Sequence, residues 1–373
     1  MRKILIPLTL IITLISGFLV TNSLIQEDGT KAGIAKSLTI DDYVIKIESC
    51  AGGNFDSTTI FSKTVLECFA LDVFKPIIEA KDFDLLNKVM HQAELKHPTF
   101  FLPCHNLMHT VVKFLPKDVN ELRKILFALK KPACQGGLVH GVFDAVSLSN
   151  PTLEELRSIG DVCENYEKWH QKTNDFSYKS LALYCSDAMG HASYDTTKDL
   201  NNAVDRCYQV LDLYEQRIPC VEGVMMQRYE PASGEGGLGY ERAVNELPDF
   251  CQSIKSKFSS NEPFLGCHDG AAYVYMRPAH YAQTCFAEGC DSKSIGNRVF
   301  EEIKNVYNLC VKYHNDSEQR RCTEKISMQL PEIIYNDETL LKKSCGLFEN
   351  DKERGICYNF NKERLKRVEK GLA

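Results

Sequence analysis

Apolar side chains recur at helical spacing along most of this 373-residue chain. In one segment, Asn150 and Pro151 supply an N-cap and a first turn that favour a helix start. The positions after them place an apolar stripe on one helix face: Leu153, Leu156 and Ile159. The segment 118–131 has the same spacing, and the two runs lead to Cys163 and Cys134. The pattern therefore predicts amphipathic helices that each end near a cysteine.

The cysteines are the second regular feature, because most of them fall into couples separated by 12 to 22 residues. These couples are Cys163 with Cys185, Cys207 with Cys220, Cys251 with Cys267, Cys310 with Cys322, and Cys345 with Cys357. The first cysteine of each couple closes one helical pattern and the second opens another. A disulfide that closes a loop of about 15 residues stabilises a fold by roughly 3 kcal/mol. We therefore expect a series of disulfide-stapled helical hairpins.

An export signal precedes the helical region. Arg2 and Lys3 are followed by an uncharged apolar run at 4–20, and no further charge occurs before Glu27. This pattern predicts a signal peptide or a signal-anchor transmembrane helix at residues 1–26. Because the basic residues stay inside the cell, the rest of the chain is placed outside the cytoplasm, either anchored in the cell membrane or secreted. Sixteen cysteines behind such a signal are typical of disulfides.

The remaining chain divides into two predicted regions. Residues 27–56 are interpreted as an extended linker, and residues 57–373 as an α-helical repeat ectodomain. A glycine-rich stretch at 230–243 is a candidate subdivision of that ectodomain. It lacks the lysine and the serine or threonine of a phosphate-binding loop, so we expect a flexible surface loop there.

The pairing of the first cysteines is open on sequence grounds. Three arrangements are possible for Cys50, Cys68, Cys104 and Cys134. Joining Cys104 with Cys134 would connect two helices that begin repeats, and would leave Cys50 with Cys68. The pair Cys285 and Cys290 is close enough in sequence to form a small local loop.

Small residues occupy matching positions in the helices that follow the second cysteines. Three residues after the cysteine the chain has Gly137, Ala188, Gly223 or Gly270. Glycine inside a helix costs about 1 kcal/mol relative to alanine, so its presence indicates close packing against a neighbouring helix. The unit recurs every 30 to 55 residues. The predicted fold is all-α, an α-solenoid-like array of disulfide-stapled helical hairpins behind the N-terminal helix.

One helix pair with one cysteine couple per unit resembles the plan of extracytoplasmic Sel1/TPR-like repeat proteins. The resemblance extends over residues 60–360 and implies the helical-repeat fold. The tetratricopeptide consensus, with its Trp and Leu-Gly positions, is missing from the chain. No functional residue is therefore transferred from that family.

Histidines near the second cysteines form the candidate chemical site. His105 and His109 are four residues apart, a spacing that lets two imidazoles on one helix face ligate the same metal ion. Histidines in later repeats fall at corresponding positions, and an aspartate precedes one of them by one helical turn. The candidate metal ligands are His105, His109, His140, His191, His268 and Asp187.

Two interpretations of this histidine set are open. If the helices line one inner surface, the imidazoles converge with Asp187, Glu222 and Asp269. Such a cluster suits copper or zinc, and it could equally supply a general base. Alternatively, each histidine only donates a hydrogen bond to a carbonyl in a seam between helices. The chain has neither a CxxC motif nor the HExxH motif of zinc proteases.

Charge and composition narrow the function classes. The net charge is −6 and no long basic patch occurs, which excludes nucleic acid as the expected partner. We expect a binding or scaffold protein, with no catalytic residue assigned, that contacts a protein or peptide on the concave face of the repeats. The alternative is a histidine-dependent metal-binding protein or metalloenzyme. A structural component of an envelope membrane complex is a third possibility.

Overall fold

The computed structural model describes residues 38–55, 57–97, 100–229, 238–276, 278–279, 292–311, 316–334, 337–348, 351, 354–355, 357–359 and 361–362. The chain divides into two units, Met1–Thr39 and Ile40–Ala373, and only residues 38 and 39 of the first are described. The predicted signal or anchor helix at 1–26 and the pair Cys285–Cys290 lie outside the described residues. Within the described part, no helix has both the length and the apolar character required to cross a bilayer.

The second unit is α-helical, and the described residues contain no strand. Its first helices are α1 (Ile40–Ala51), α2 (Ser57–Ile60), α3 (Lys63–Cys68), α4 (Lys75–Glu79) and α5 (Phe83–Lys96), with a π-helical turn at Phe69–Phe74 before α4. The later helices are α6 (Phe101–His109), α7 (Val119–Ala128), α8 (Gly137–Leu148), α9 (Leu153–Thr173), α10 (Phe176–Thr197), α11 (Leu200–Val210), α12 (Tyr214–Tyr229), α13 (Leu238–Lys257), α14 (Glu262–Tyr275), α15 (Ser292–Val311), α16 (Asp316–Ile334) and α17 (Glu338–Cys345).

The helices from α6 to α16 form two rows. The even-numbered helices pack side by side in chain order, each against the next, and we call them the inner row. Each odd-numbered helix from α7 to α15 packs against the inner helix that follows it. These odd-numbered helices form the outer row. The predicted array of helical hairpins is confirmed for this part of the chain.

Disulfides staple these hairpins as expected. The described residues contain seven disulfides: Cys50–Cys68, Cys104–Cys134, Cys163–Cys185, Cys207–Cys220, Cys251–Cys267, Cys310–Cys322 and Cys345–Cys357. The five couples are confirmed, and of the three arrangements open to the first four cysteines the structure has Cys50–Cys68 with Cys104–Cys134. This many disulfides is consistent with an extracytoplasmic location.

The small residues of the inner row mark points where two helix backbones touch. A β-carbon added at Gly190 would fall on the carbonyl oxygen of Cys220, and one added at Gly223 would fall on that of Asp187. At Gly141 the added atom would lie 2.6 Å from the carbonyl oxygen of Met108. Any side chain at these positions would push neighbouring inner helices apart. The close packing predicted from the glycines is therefore confirmed.

Three local predictions are wrong. The extended linker predicted at 27–56 contains α1, because Tyr43, Val44 and Ile47 form an apolar face that is buried. The cap of α9 is Thr152, which forms a capping box with Glu155. That helix also continues to Thr173, ten residues beyond its cysteine. The other predicted domain boundaries stay predictions.

Candidate metal centre

Four of the predicted histidines meet on the inner row. His105 and His109 come from α6, His140 from α8 and His191 from α10. They line a cavity of about 400 Å³, which is also lined by residues of α12, α14 and α16. The further lining residues are Asn106, Gln135, Asp144, Leu183, Tyr184, Asp187, Pro219, Glu222, Met226, Gln227, Tyr273 and Lys325. The cavity is therefore built by successive repeats rather than by one hairpin.

His105 and His109 face each other through their Nε2 atoms, which are 3.3 Å apart. Behind the rings, Nδ1 of His105 is 3.2 Å from the carbonyl oxygens of both Cys134 and Gln135. Nδ1 of His109 is 2.6 Å from Oδ2 of Asp144. Because these partners can only accept, each Nδ1 carries the hydrogen and donates it. In the neutral rings, each Nε2 then presents a lone pair.

This pair of nitrogens has the spacing of two ligands on one metal ion. Two nitrogens bound to a tetrahedral zinc at about 2.0–2.1 Å lie about 3.3–3.4 Å apart. His140 offers a third candidate ligand atom, since one atom from each of His105, His109 and His140 lies within 4.8 Å of the other two. Two facing lone pairs repel each other, so a cation between the rings would stabilise the arrangement. Asp144 acts behind His109 as carboxylates act behind metal-bound histidines.

A strained backbone segment holds the carbonyls that orient His105. Cys134, Gln135 and Gly136 have φ angles of 51°, 49° and 75°, in the left-handed region. Side-chain-bearing residues pay roughly 1–3 kcal/mol for such conformations, which persist where the surrounding structure enforces them. The disulfide from Cys104 to Cys134 ties this segment to the residue directly before His105. The conformation directs two successive carbonyls at one imidazole nitrogen.

His140, Asp187 and His191 form a second group of ligand atoms. Oδ2 of Asp187 lies 3.2 Å from Nε2 of His140 and 3.6 Å from Nε2 of His191. On its other side, Nδ1 of His191 donates to Oε1 of Gln227 at 2.6 Å. The amide nitrogen of Gln227 donates to both oxygens of Asp195 at 3.0 Å, which fixes the orientation of that amide.

The protonation states differ along the row of histidines. Desolvation, with the neighbouring imidazoles, lowers the pKa of His105 well below its ordinary value. Burial also lowers the pKa of His140, although Asp187 favours its charged form. For His191 burial acts in the same direction, but Asp187 outweighs it and the pKa of His191 is raised. His105 and His140 are therefore neutral at pH 7, the form in which an imidazole binds a metal.

An ion-pair network lies beside the histidines, and two of its members, Glu222 and Lys325, line the cavity. Asp269 on α14 is 1% exposed and accepts two hydrogen bonds of 2.6 Å from Arg321. Lys325 lies 2.9 Å from Asp269 and 3.3 Å from Glu222 on α12. Burial raises the pKa of Glu222 to about 7, against the effect of Lys325. The network joins α12, α14 and α16, so Asp269 pairs with cations and does not join the histidines.

The structure places one predicted ligand, His268, apart from the other four histidines. His268 on α14 is buried, is part of neither ligand group, and packs edge-on against Phe264 with ring centroids 4.4 Å apart. The residue of α14 that lines the cavity is Tyr273. Five residues along a helix correspond to a rotation of about 140°, which turns His268 away from the cavity. Burial lowers the pKa of His268 to about 4.

The sequence reasoning also missed residues of the site. Asp144 lies one helical turn after His140 on α8, and that spacing was a usable signal. Gln227 and Lys325 lie 36 residues after His191 and 103 residues after Glu222, the residues that they contact. Separations of that size carry no local pattern.

Comparison with known proteins identifies no relative of this chain. No protein-family model, curated protein or solved structure matches the chain. The functional assignment therefore rests on the arrangement of the inner-row side chains.

Proposed function

We propose that this protein is an extracytoplasmic metal-binding protein that holds copper or zinc through His105, His109 and His140. The observation that carries the proposal is the 3.3 Å separation of the two Nε2 atoms on α6, each with its Nδ1 committed to an acceptor. Imidazole nitrogen is a preferred donor for both metals. Three protein ligands would leave a fourth position of a tetrahedral ion for water or a second molecule.

The charge of the cavity supports a cation. Among its described lining residues, Asp144, Asp187 and Glu222 carry carboxylates, whereas Lys325 is the one ammonium. That ammonium lies between Glu222 and Asp269, so its charge is already balanced. The cavity therefore attracts a positively charged ligand more than an anion.

Metal analysis of the full chain, purified without a histidine tag, tests the proposal. Wild-type protein loaded with Zn²⁺ or Cu²⁺ and then dialysed is expected to retain stoichiometric metal. The double variant His105→Ala/His109→Ala should lose one equivalent. His170→Ala is the matched control, because His170 lies on the outer helix α9 and does not line the cavity.

Two results would contradict the metal centre. One is a wild-type protein that retains no metal after dialysis. The other is a double variant that retains as much metal as the His170→Ala control. Far-ultraviolet circular dichroism of each variant establishes that the helices are intact before metal contents are compared.

The scaffold role inferred from the sequence stays a prediction. No described contact tests a protein or peptide partner, an envelope complex, or attachment to the membrane through residues 1–26. Metal binding and a scaffold role are compatible, because the three proposed ligands lie on α6 and α8 only and leave most of the inner-row surface to a partner.

A further inference from the structure

The inner row contains a second set of ligand atoms that the three-histidine centre does not use. One atom each from His140, Asp187 and His191 lie within 4.8 Å of one another. A tetrahedral ion bound to nitrogen and oxygen at about 2.0–2.2 Å separates its ligand atoms by about 3.3–3.5 Å. The distances from Oδ2 of Asp187, 3.2 Å to His140 and 3.6 Å to His191, bracket that spacing.

Unused polar atoms at this position give independent support. Oδ1 of Asp187 and Nε2 of His191 are shielded from solvent and have no hydrogen-bond partner within the described residues. A buried polar atom without a partner costs about 1–3 kcal/mol, so such atoms call for an explanation. The His191 side chain is 9% exposed, and its ring lines the cavity. A cation bound to Oδ2 of Asp187 would also bind Nε2 of His191, 3.6 Å away, and would give that nitrogen a partner.

The residues behind His191 match those expected behind a metal ligand. Gln227 accepts from Nδ1 of His191, so Nε2 is the nitrogen that carries the lone pair in the neutral ring. Asp195 accepts from the Gln227 amide and holds its oxygen towards the histidine. Outer-shell partners of this kind fix the tautomer and the direction of a metal-binding imidazole.

We propose that the centre binds two divalent transition-metal ions, the second held by His140, Asp187 and His191. This inference rests on the proposed metal-binding function. His140 belongs to both ligand sets, and an imidazole has two nitrogens. When both ions are bound, each nitrogen of His140 ligates one ion, and the ring proton is released to solvent. The second position takes the same class of ion as the first.

Metal stoichiometry of single variants tests this arrangement. The probes are Zn²⁺ and Cu²⁺ alone, added to the full tag-free chain and measured by elemental analysis and by competition with a chromophoric chelator. Wild-type protein and the control His170→Ala should bind two equivalents. His109→Ala and His191→Ala should each bind one equivalent, and His140→Ala should lose both from the high-affinity range.

A second measurement reports the distance between the ions. Two Cu²⁺ ions that share an imidazole couple magnetically, so the paramagnetic resonance signal of the loaded wild type should fall well below that of two isolated ions. His191→Ala should restore the full signal of one isolated ion. Asp187→Asn keeps the side-chain volume and should also remove one equivalent, which covers the case in which His191→Ala fails to fold.

The outcomes separate the two proposals. One equivalent in the wild type, lost in His109→Ala but kept in both His191→Ala and Asp187→Asn, overturns the second position and leaves the three-histidine centre. No metal in the wild type overturns the proposed function itself. Two equivalents in every variant would place the ions elsewhere and overturn both.

Discussion

At the scale of single residues, the candidate centre depends on the hydrogen-bond acceptors that contact Nδ1 of each imidazole. The spacing of His105 and His109 brings the rings to one face of α6, but spacing alone does not select the nitrogen that faces the partner ring. That selection comes from carbonyls of the left-handed segment and from Asp144 on α8. Each acceptor fixes a proton on Nδ1 and leaves the lone pair on Nε2, the atom that would bind the proposed metal.

Replacing Asp144 tests this orientation. Asp144→Ala removes the acceptor 2.6 Å from Nδ1 of His109, so the ring is free to rotate and to change tautomer. We expect metal affinity to fall about 10–100-fold, the usual cost of losing an outer-shell partner. Chelator competition measures the affinity, with Asp161→Ala on the exposed side of α9 as the control. Equal metal affinities in the two variants would show that Asp144 does not orient a metal ligand.

A second residue-scale prediction concerns Glu94, a buried carboxyl on α5 outside the cavity. Burial raises the pKa of Glu94 to about 7, against a hydrogen bond from the backbone of Cys134. Folded protein therefore keeps a proton that the unfolded chain releases above about pH 4.5. Stability is lost as pH rises from about 4.5 to 7, by about 3 kcal/mol in the free energy of unfolding.

The variant Glu94→Gln should remove most of this pH dependence. Urea unfolding with the disulfides intact, at pH 5 and pH 8, gives the difference in the free energy of unfolding between the two conditions. The change in the free energy of unfolding from pH 5 to pH 8 should be more positive in Glu94→Gln than in wild type, by up to about 3 kcal/mol. It should equal the wild-type change in Glu154→Gln, whose carboxyl lies on the exposed face of α9. The same pH dependence of the free energy of unfolding in wild type and Glu94→Gln would contradict the raised pKa of Glu94.

At the scale of helices, contact between backbones sets the positions of the ligands. Gly223 of α12 packs on the carbonyl of Asp187, a residue of the second ligand set. Gly223→Ala should therefore separate α10 from α12, with a loss of about 1–3 kcal/mol in the free energy of unfolding. Metal affinity should fall with it. Chemical denaturation and metal competition measure the two effects.

Gly296 on α15 is the matched control for that substitution. The nearest atom to an added β-carbon is 4.0 Å away, on Leu340, so alanine fits without displacement. Gly296→Ala should stabilise the protein by up to about 1 kcal/mol through helix propensity. A Gly223→Ala protein as stable as Gly296→Ala would mean that the inner helices are not in backbone contact.

Helix pairs and their staples were predictable because each depends on residues close in sequence. The cysteine couples, the apolar stripes and the small residues three positions after a cysteine all fall within one hairpin. The errors have local causes as well. Asn150 has a φ of 53° and follows the end of α8, so the cap of the next helix passes to Thr152. The α1 helix was missed because its apolar face is short.

At the scale of the whole molecule, the candidate centre exists only because inner-row helices of successive repeats pack side by side. The candidate ligands come from α6, α8 and α10, and further lining residues of the cavity come from the three inner helices after them. Sequence reasoning placed His140 and His191 together because both occupy the same position in neighbouring repeats. His268 does not follow that pattern, because Tyr273 is the residue of α14 that lines the cavity. Sequence reasoning could not find Lys325, whose partner Glu222 is 103 residues away.

Stacking also predicts that two staples of similar strength have different effects on the centre. Removing Cys163–Cys185 or Cys345–Cys357 opens a loop of 22 or 12 residues, and each loss should cost about 3 kcal/mol by chain entropy. Only the first staple anchors α10, which carries Asp187 and His191. We therefore expect Cys163→Ala/Cys185→Ala to lower metal affinity and Cys345→Ala/Cys357→Ala to leave it unchanged.

Hydrogen exchange followed by mass spectrometry locates the two losses. In a repeat array each unit contacts only its neighbours, so removal of the terminal staple should speed exchange in α17 and spare α8 to α12. Removal of the central staple should speed exchange in α9 and α10 and in the inner helices on either side. Faster exchange throughout the chain in both variants would mean that the molecule unfolds as one cooperative unit, because stability would then not be transmitted from neighbour to neighbour.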